Sequence, residues 1–98
     1  MAAETVLKIK TALRISHTKL DEDIRDDIDA CLADLKTARV IDPQETDPLV
    51  YNAIKLWCRS LYTDDPAKGA EYLRRYEALK SNLQMAEGYG WSEVGADE

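Results

Sequence analysis

Phenylalanine is absent from the sequence, so Tyr and Trp supply every aromatic side chain. Positive charge is also short: 19 acids outweigh 13 bases for a net charge of −6, and no run of Lys or Arg forms the dense patch that a phosphate backbone needs. Nucleic acid is therefore not expected as a ligand of the isolated chain. Cysteine is limited to Cys31 and Cys58, with no CxxC pair and no His/Cys cluster, which points to reduced core thiols and away from a disulfide framework or a zinc site. No apolar run approaches the ~20 residues of a membrane span. Met1-Ala2-Ala3-Glu4 lacks the basic and apolar regions of a secretory signal. The expectation is a cytosol-made protein without membrane association. Three of the four glycines, Gly88, Gly90 and Gly95, fall after position 87, and no fixed-period repeat or hairpin-like strand pair is present.

What is there is 45% hydrophobic and 33% charged, too apolar for a disordered chain. At 98 residues it fits one domain, burying ~60 to 65% of its unfolded surface, an adequate core that oligomerisation would supplement.

Helical periodicity runs through most of the chain. Val6, Ile9 and Leu13 recur on one side of a segment at about 4–14, with Lys8, Lys10 and Arg14 on the other. Thr18 followed by Asp21 has capping-box spacing, and Leu20, Ile24, Ile28, Cys31, Leu32 and Leu35 then form a continuous stripe, predicting a second helix at about 19–39. Its first turn is acidic and its last turn basic, as the helix dipole favours. Residues 40–46 read as a loop whose Val40 and Ile41 tuck back onto the core. Asp47-Pro48 and Asp65-Pro66 each place an N-cap acceptor before a proline at the first helical position, opening helices at about 48–62 and 66–86. The third, carrying Leu49, Val50, Ala53, Ile54, Trp57, Cys58 and Leu61, is the least polar and is expected at the centre. Tyr72, Leu73, Tyr76, Leu79 and Leu83 mark the fourth, which Gly69 weakens slightly. The fold class is thus all-α: a small single-domain bundle of about four helices over residues 1–87, followed by a flexible acidic and aromatic tail at 88–98.

Several constellations invite a functional reading. Asp21, Glu22, Asp23, Asp26, Asp27 and Asp29 form the densest charge cluster, but interleaving with Ile24 and Ile28 puts them on a helix surface and not in a calcium loop. They read as a solvated face or a subunit or channel surface. His17 stands alone, with no nucleophile or carboxylate at catalytic spacing. Trp57, Tyr72 and Tyr76 match core spacing better than a base-stacking platform. Tyr89, Trp91 and Val94 lie in the Gly-rich tail, where they suit a segment that docks on a partner, a disordered end, or one that folds back on its own core. No catalytic, cofactor or metal residues are assigned, and an enzyme is not expected.

The order of these features resembles the head-tail connector, or head-completion adaptor, proteins of long-tailed bacteriophages and prophages. Three stretches carry the resemblance: Val6 to Ile15; the Asp21 to Ala38 helix with its Ala30-Cys31-Leu32-Ala33-Asp34-Leu35 heart; and the Asp47 to Ile54 restart, followed by an aromatic-containing helix, the Tyr62 to Pro66 break and Tyr72 to Leu83. It covers roughly residues 5 to 85 and rests on apolar spacing and turn chemistry. The resemblance implies a non-catalytic structural subunit of the virion head-tail junction, made in the bacterial host cytoplasm. Such a subunit forms a homo-oligomeric ring beneath the portal protein, lets DNA pass without sequence-specific binding and presents a surface to a stopper or tail-completion protein. The acidic run and the tail match no motif of that family.

Charge is unevenly placed. Residues 19–47 hold ten acids against four bases, while residues 1–18 and 48–63 are each net positive. Unlike patches can meet between neighbours, or the acidic surface can line a channel and repel DNA. A second class of function is a small helical DNA-packaging accessory or regulatory module binding nucleic acid through Lys8, Lys10, Arg14, Arg74 and Arg75.

Overall fold

The computed structural model describes residues 2–86, and they form four α-helices: α1 (Ala2–Leu13), α2 (Asp21–Thr37), α3 (Pro48–Tyr62) and α4 (Pro66–Met85). The all-α bundle expected from the periodicity is what forms; the 88–98 segment lies outside the described residues.

The two Asp-Pro openings act as their chemistry dictates. Asp47 Oδ1 accepts from the Leu49 and Val50 amides at 2.9 and 3.3 Å, and Asp65 Oδ1 accepts from those of Ala67 and Lys68 at 2.9 and 3.4 Å. Each satisfies amides that the first turn of a helix leaves without partners, while Pro48 and Pro66 have none to lose. The expected Thr18 cap does not form. Residues 18–21 make a turn in which the Thr18 carbonyl accepts the Asp21 amide at 3.2 Å, so α2 begins after Leu20, without a side-chain cap.

α1 and α2 end alike. Beyond α1 the Ile15 amide reaches the Lys10 carbonyl at 2.9 Å and the Arg14 amide reaches Thr11 at 3.1 Å, with Arg14 at φ 62°. Beyond α2 the Val40 amide reaches Leu35 and the Arg39 amide reaches Lys36, each at 2.9 Å, with Arg39 at φ 71°. Both are Schellman motifs in which arginine occupies the left-handed position usually given to glycine. This reversal of the backbone explains why α2 stops at Thr37 and does not run on to Arg39. It also turns Val40 inward, buried against the core, while Ile41 is exposed, so only the first of that pair tucks in.

α3 touches each of the other three helices, as its apolar composition foretold. Val50, Ala53, Ile54 and Cys58 are buried among Val6 and Ile9 of α1, Ile24, Ile28, Cys31 and Leu35 of α2, and Tyr76 and Leu83 of α4. Two other members of its expected stripe face outward: Leu49 is 40% exposed and Leu61 is 54% exposed. Leu73 of α4 is likewise exposed. Gly69 has a packing reason: a Cβ there would sit 3.3 Å from Thr63 Cγ2 and 3.4 Å from the Ser60 carbonyl oxygen. The absent side chain lets the first turn of α4 approach the end of α3, in return for helix propensity of about 1 kcal/mol.

Lys10, expected on the polar side of α1, is buried, with its ammonium 2.8 Å from Asp21 Oδ1. Its stem covers the core edge while its head pairs with the start of α2. No described helix is long and apolar enough to cross a membrane.

Candidate functional site

The acidic run on α2 divides once its partners are seen. Asp21 is taken by Lys10. Asp27 Oδ2 accepts the Tyr62 hydroxyl at 2.6 Å, tying the end of α3 to α2. Burial, and then this bond and the Asp27 charge, push the Tyr62 phenol well above its ordinary pKa. Asp29 pairs with Arg25 at 2.7 Å, and the same guanidinium reaches both carboxylate oxygens of Glu45, at 3.2 and 3.3 Å. That fork anchors the loop between α2 and α3. Burial would raise the Glu45 pKa, but Arg25 holds it below the usual range.

Three of the six, Glu22, Asp23 and Asp26, are exposed and make no ion pair or hydrogen bond among the described residues. Glu22 and Asp26 are four apart, so like charges stack on one stripe and cost the helix about 0.2–0.5 kcal/mol. The free part of the run is therefore this smaller set; Asp21 and Asp27 tie α2 to α1 and to the end of α3, and Asp29 pairs within α2. Among the described residues no three His, Cys, Asp or Glu side chains gather as a metal site requires. His17 is exposed in the α1–α2 turn, its Nδ1 accepting the Lys19 amide at 3.3 Å.

Of the aromatic residues, Tyr76 is fully buried and Trp57 packs edge-on against it, with ring centroids 5.1 Å apart. Tyr72, expected in the core, is half-buried, and the Arg59 guanidinium lies 5.9 Å from its ring centroid. The cysteines are the core thiols their placement suggested: burial pushes both up to about 12, leaving almost no thiolate at neutral pH.

Two concave surfaces flank the α3–α4 turn. An apolar groove of about 400 Å³ runs between Trp57 and Leu61 of α3 and Gly69, Ala70 and Leu73 of α4. Trp57 Nε1 is buried beside it with no hydrogen-bond acceptor among the described residues. On the other side a polar cleft of about 210 Å³ is walled by Tyr62 and Tyr72 and receives Arg14, Arg59 and Lys68. Arg59 and Lys68 did not stand out in the sequence, because no two of these cations are close along the chain. The end of α1, the end of α3 and the start of α4 bring them together. Tyr89, Trp91 and Val94 lie outside the described residues.

No protein-family model, curated protein or solved structure matches this chain.

Proposed function

We propose that this chain is a structural subunit of a phage or prophage head-tail connector, assembling with copies of itself into a ring under the portal protein and extending the DNA channel. In this reading it catalyses nothing, resides at the head-tail junction of the virion and receives a stopper or tail-completion protein on its far side. The sequence resemblance over residues 5–85 motivates the reading.

One structural observation supports it most. The subunit closes its own core, yet leaves an apolar groove rimmed by Leu61 and Leu73 on α3 and α4, and the unpaired acids Glu22, Asp23 and Asp26 on α2. Unlike surfaces on different helices are what head-to-tail packing around a closed ring uses. The nucleic-acid alternative is less well served. Lys10 is buried against Asp21, and Arg74 and Arg75 both pair with Glu71, leaving Lys8 and Arg14 as its remaining cations.

The test is the mass of the purified protein by light scattering over a concentration series, with electron micrographs of any large species, alone and with portal protein. Closed rings of uniform size support the reading. A dimer that persists in the presence of portal would overturn it. The double reversal Asp23→Lys/Asp26→Lys then separates two roles for the acidic surface: lost rings with an intact fold mean a contact between subunits, and normal rings with slowed DNA passage mean a channel lining. Asp27 is unsuitable for that test because it holds Tyr62.

A further inference from the structure

We propose that residues 87–98 of one copy dock in the Arg14–Arg59–Lys68 cleft of a second copy. The proposal rests on the preceding reading only in requiring that copies meet.

The cleft is built to take an anion beside an aromatic ring. No carboxylate among the described residues lies within ion-pair distance of Arg14, Arg59 or Lys68. Of the acids around it, Asp27 is committed to the Tyr62 hydroxyl, Asp65 to the amides that open α4, and Glu71 to Arg74 and Arg75, while Asp23, whose charge acts on Tyr62, and Asp64, next to Thr63, pair with none of the three cations. Arg59 already lies over the Tyr72 ring, so the walls offer both charge and stacking surface.

The complement is in the same chain. Residues 87–98 carry Glu87, Glu93, Asp97 and Glu98 with no base, together with Tyr89 and Trp91. In a protein of net charge −6 this segment would be repelled from most of the surface, and the cleft is where three cations converge without acidic partners.

Reach decides which copy supplies it. Tyr72 and Met85 lie on one helix, about 20 Å apart along its axis at 1.5 Å per residue. An extended chain gains at most about 3.4 Å per residue, so Tyr89 stays within roughly 14 Å of Met85. The backbone at Tyr89 therefore stops short of Tyr72 on its own chain, and Trp91 comes level with it only if the segment runs fully extended back along α4. A neighbour's cleft takes both aromatics and the acids without that extension.

The experiment uses full-length protein. A nitroxide is placed on a Ser92→Cys variant, whose other two thiols are buried, and the product is mixed with an equal amount of ¹⁵N-labelled wild type. The expected result is intermolecular broadening of the amides around Arg14, Arg59 and Tyr72. It should weaken at least about tenfold when the labelled partner carries Arg14→Asn/Lys68→Glu, and fade as salt screens the charges. Asparagine tolerates the left-handed backbone at position 14, and unchanged spectra elsewhere show that the variant folds.

Absence of intermolecular broadening at the cleft overturns the proposal, as does broadening that survives the charge changes or centres on Leu61 and Leu73. A duplex oligonucleotide that shifts the same amides while the nitroxide does not would give the cleft to nucleic acid. Uniform rings without cleft broadening remove the docking and keep the connector reading; cleft broadening in a protein that forms no ring does the reverse.

Discussion

The hydroxyl of Tyr76 donates to Asp34 Oδ2 at 2.6 Å across the seam between α4 and α2, and the same oxygen accepts from Lys80 Nζ at 2.9 Å. Cys31 donates its thiol to the Tyr76 oxygen at 3.9 Å, the Lys80 ammonium lies 5.2 Å from the Tyr76 ring centroid, and Gln84 caps the Ala38 carbonyl at 2.8 Å. Two helices whose apolar faces both turn toward α3 are thus held to each other by a polar seam. Burial, followed by the bond to Asp34, pushes the Tyr76 phenol far above its ordinary value.

Removing that hydroxyl isolates its contribution. Tyr76→Phe keeps the buried ring and its contact with Trp57 but leaves Asp34 with Lys80 alone. It should cost about 1–3 kcal/mol, read as a lower urea midpoint at unchanged slope. A loss below a few tenths would show that water replaces the hydroxyl.

Stability should fall at acid pH through the same seam. Burial would raise the Asp34 pKa, but the Tyr76 hydroxyl and Lys80 ammonium override it and hold the carboxyl low; Arg25 does the same for Glu45. A depressed folded pKa gives stability that is present above the unfolded carboxylate value of about 4 and is lost as pH falls through the folded one. Lys80 behaves oppositely. Burial lowers its pKa, but Asp34 and Glu77 raise it further, so its contribution is complete below about 10.4 and disappears as pH rises through the folded value. Urea midpoints measured against pH should show both limbs, and Asp34→Asn should flatten each of them.

Much of this fold was legible because it rests on local chemistry. The Asp-Pro openings named the starts of α3 and α4, and the Ile24, Ile28, Cys31, Leu35 stripe named the buried side of α2. The ends of α1 and α2 were not legible, since arginine in a left-handed conformation gives no glycine signal. Nor was the division of the acidic run, which depends on Lys10, Arg25 and Tyr62 arriving from other elements. The Arg14–Arg59–Lys68 cleft is tertiary in the same sense.

Arginine at the left-handed position should be improvable. Arg14→Gly removes a backbone cost of about 1 kcal/mol, partly offset by the greater freedom of glycine in the unfolded chain. A raised thermal midpoint is expected, along with weaker docking of the 87–98 segment. Stability and docking would then move in opposite directions, which a general loss of structure cannot produce.

Trp57 offers a test of its unpartnered indole N–H. Trp57→Phe removes a buried donor that costs free energy, while keeping a ring to face Tyr76; relief and lost area should nearly cancel, giving a change below about 1 kcal/mol. Trp57→Ala loses the ring as well and should cost several times more. Equal losses in the two variants, by urea unfolding, would mean that the N–H has an acceptor in solution.

The short connection from Tyr62 to Pro66 has a kinetic meaning. With Asp65 fixing the start of α4 and Gly69 admitting it against α3, these helices can pair after closing a very small loop, the cheapest closure in the chain. α1 sits at the other extreme, fastened chiefly by Val6, Ile9 and the Lys10–Asp21 pair. Amide protons of α3 and α4 should be the last to exchange with deuterium and those of α1 the first, so the hairpin would survive as a protected unit while α1 opens. A subunit arranged this way can loosen one helix as it meets its neighbours without dissolving the rest.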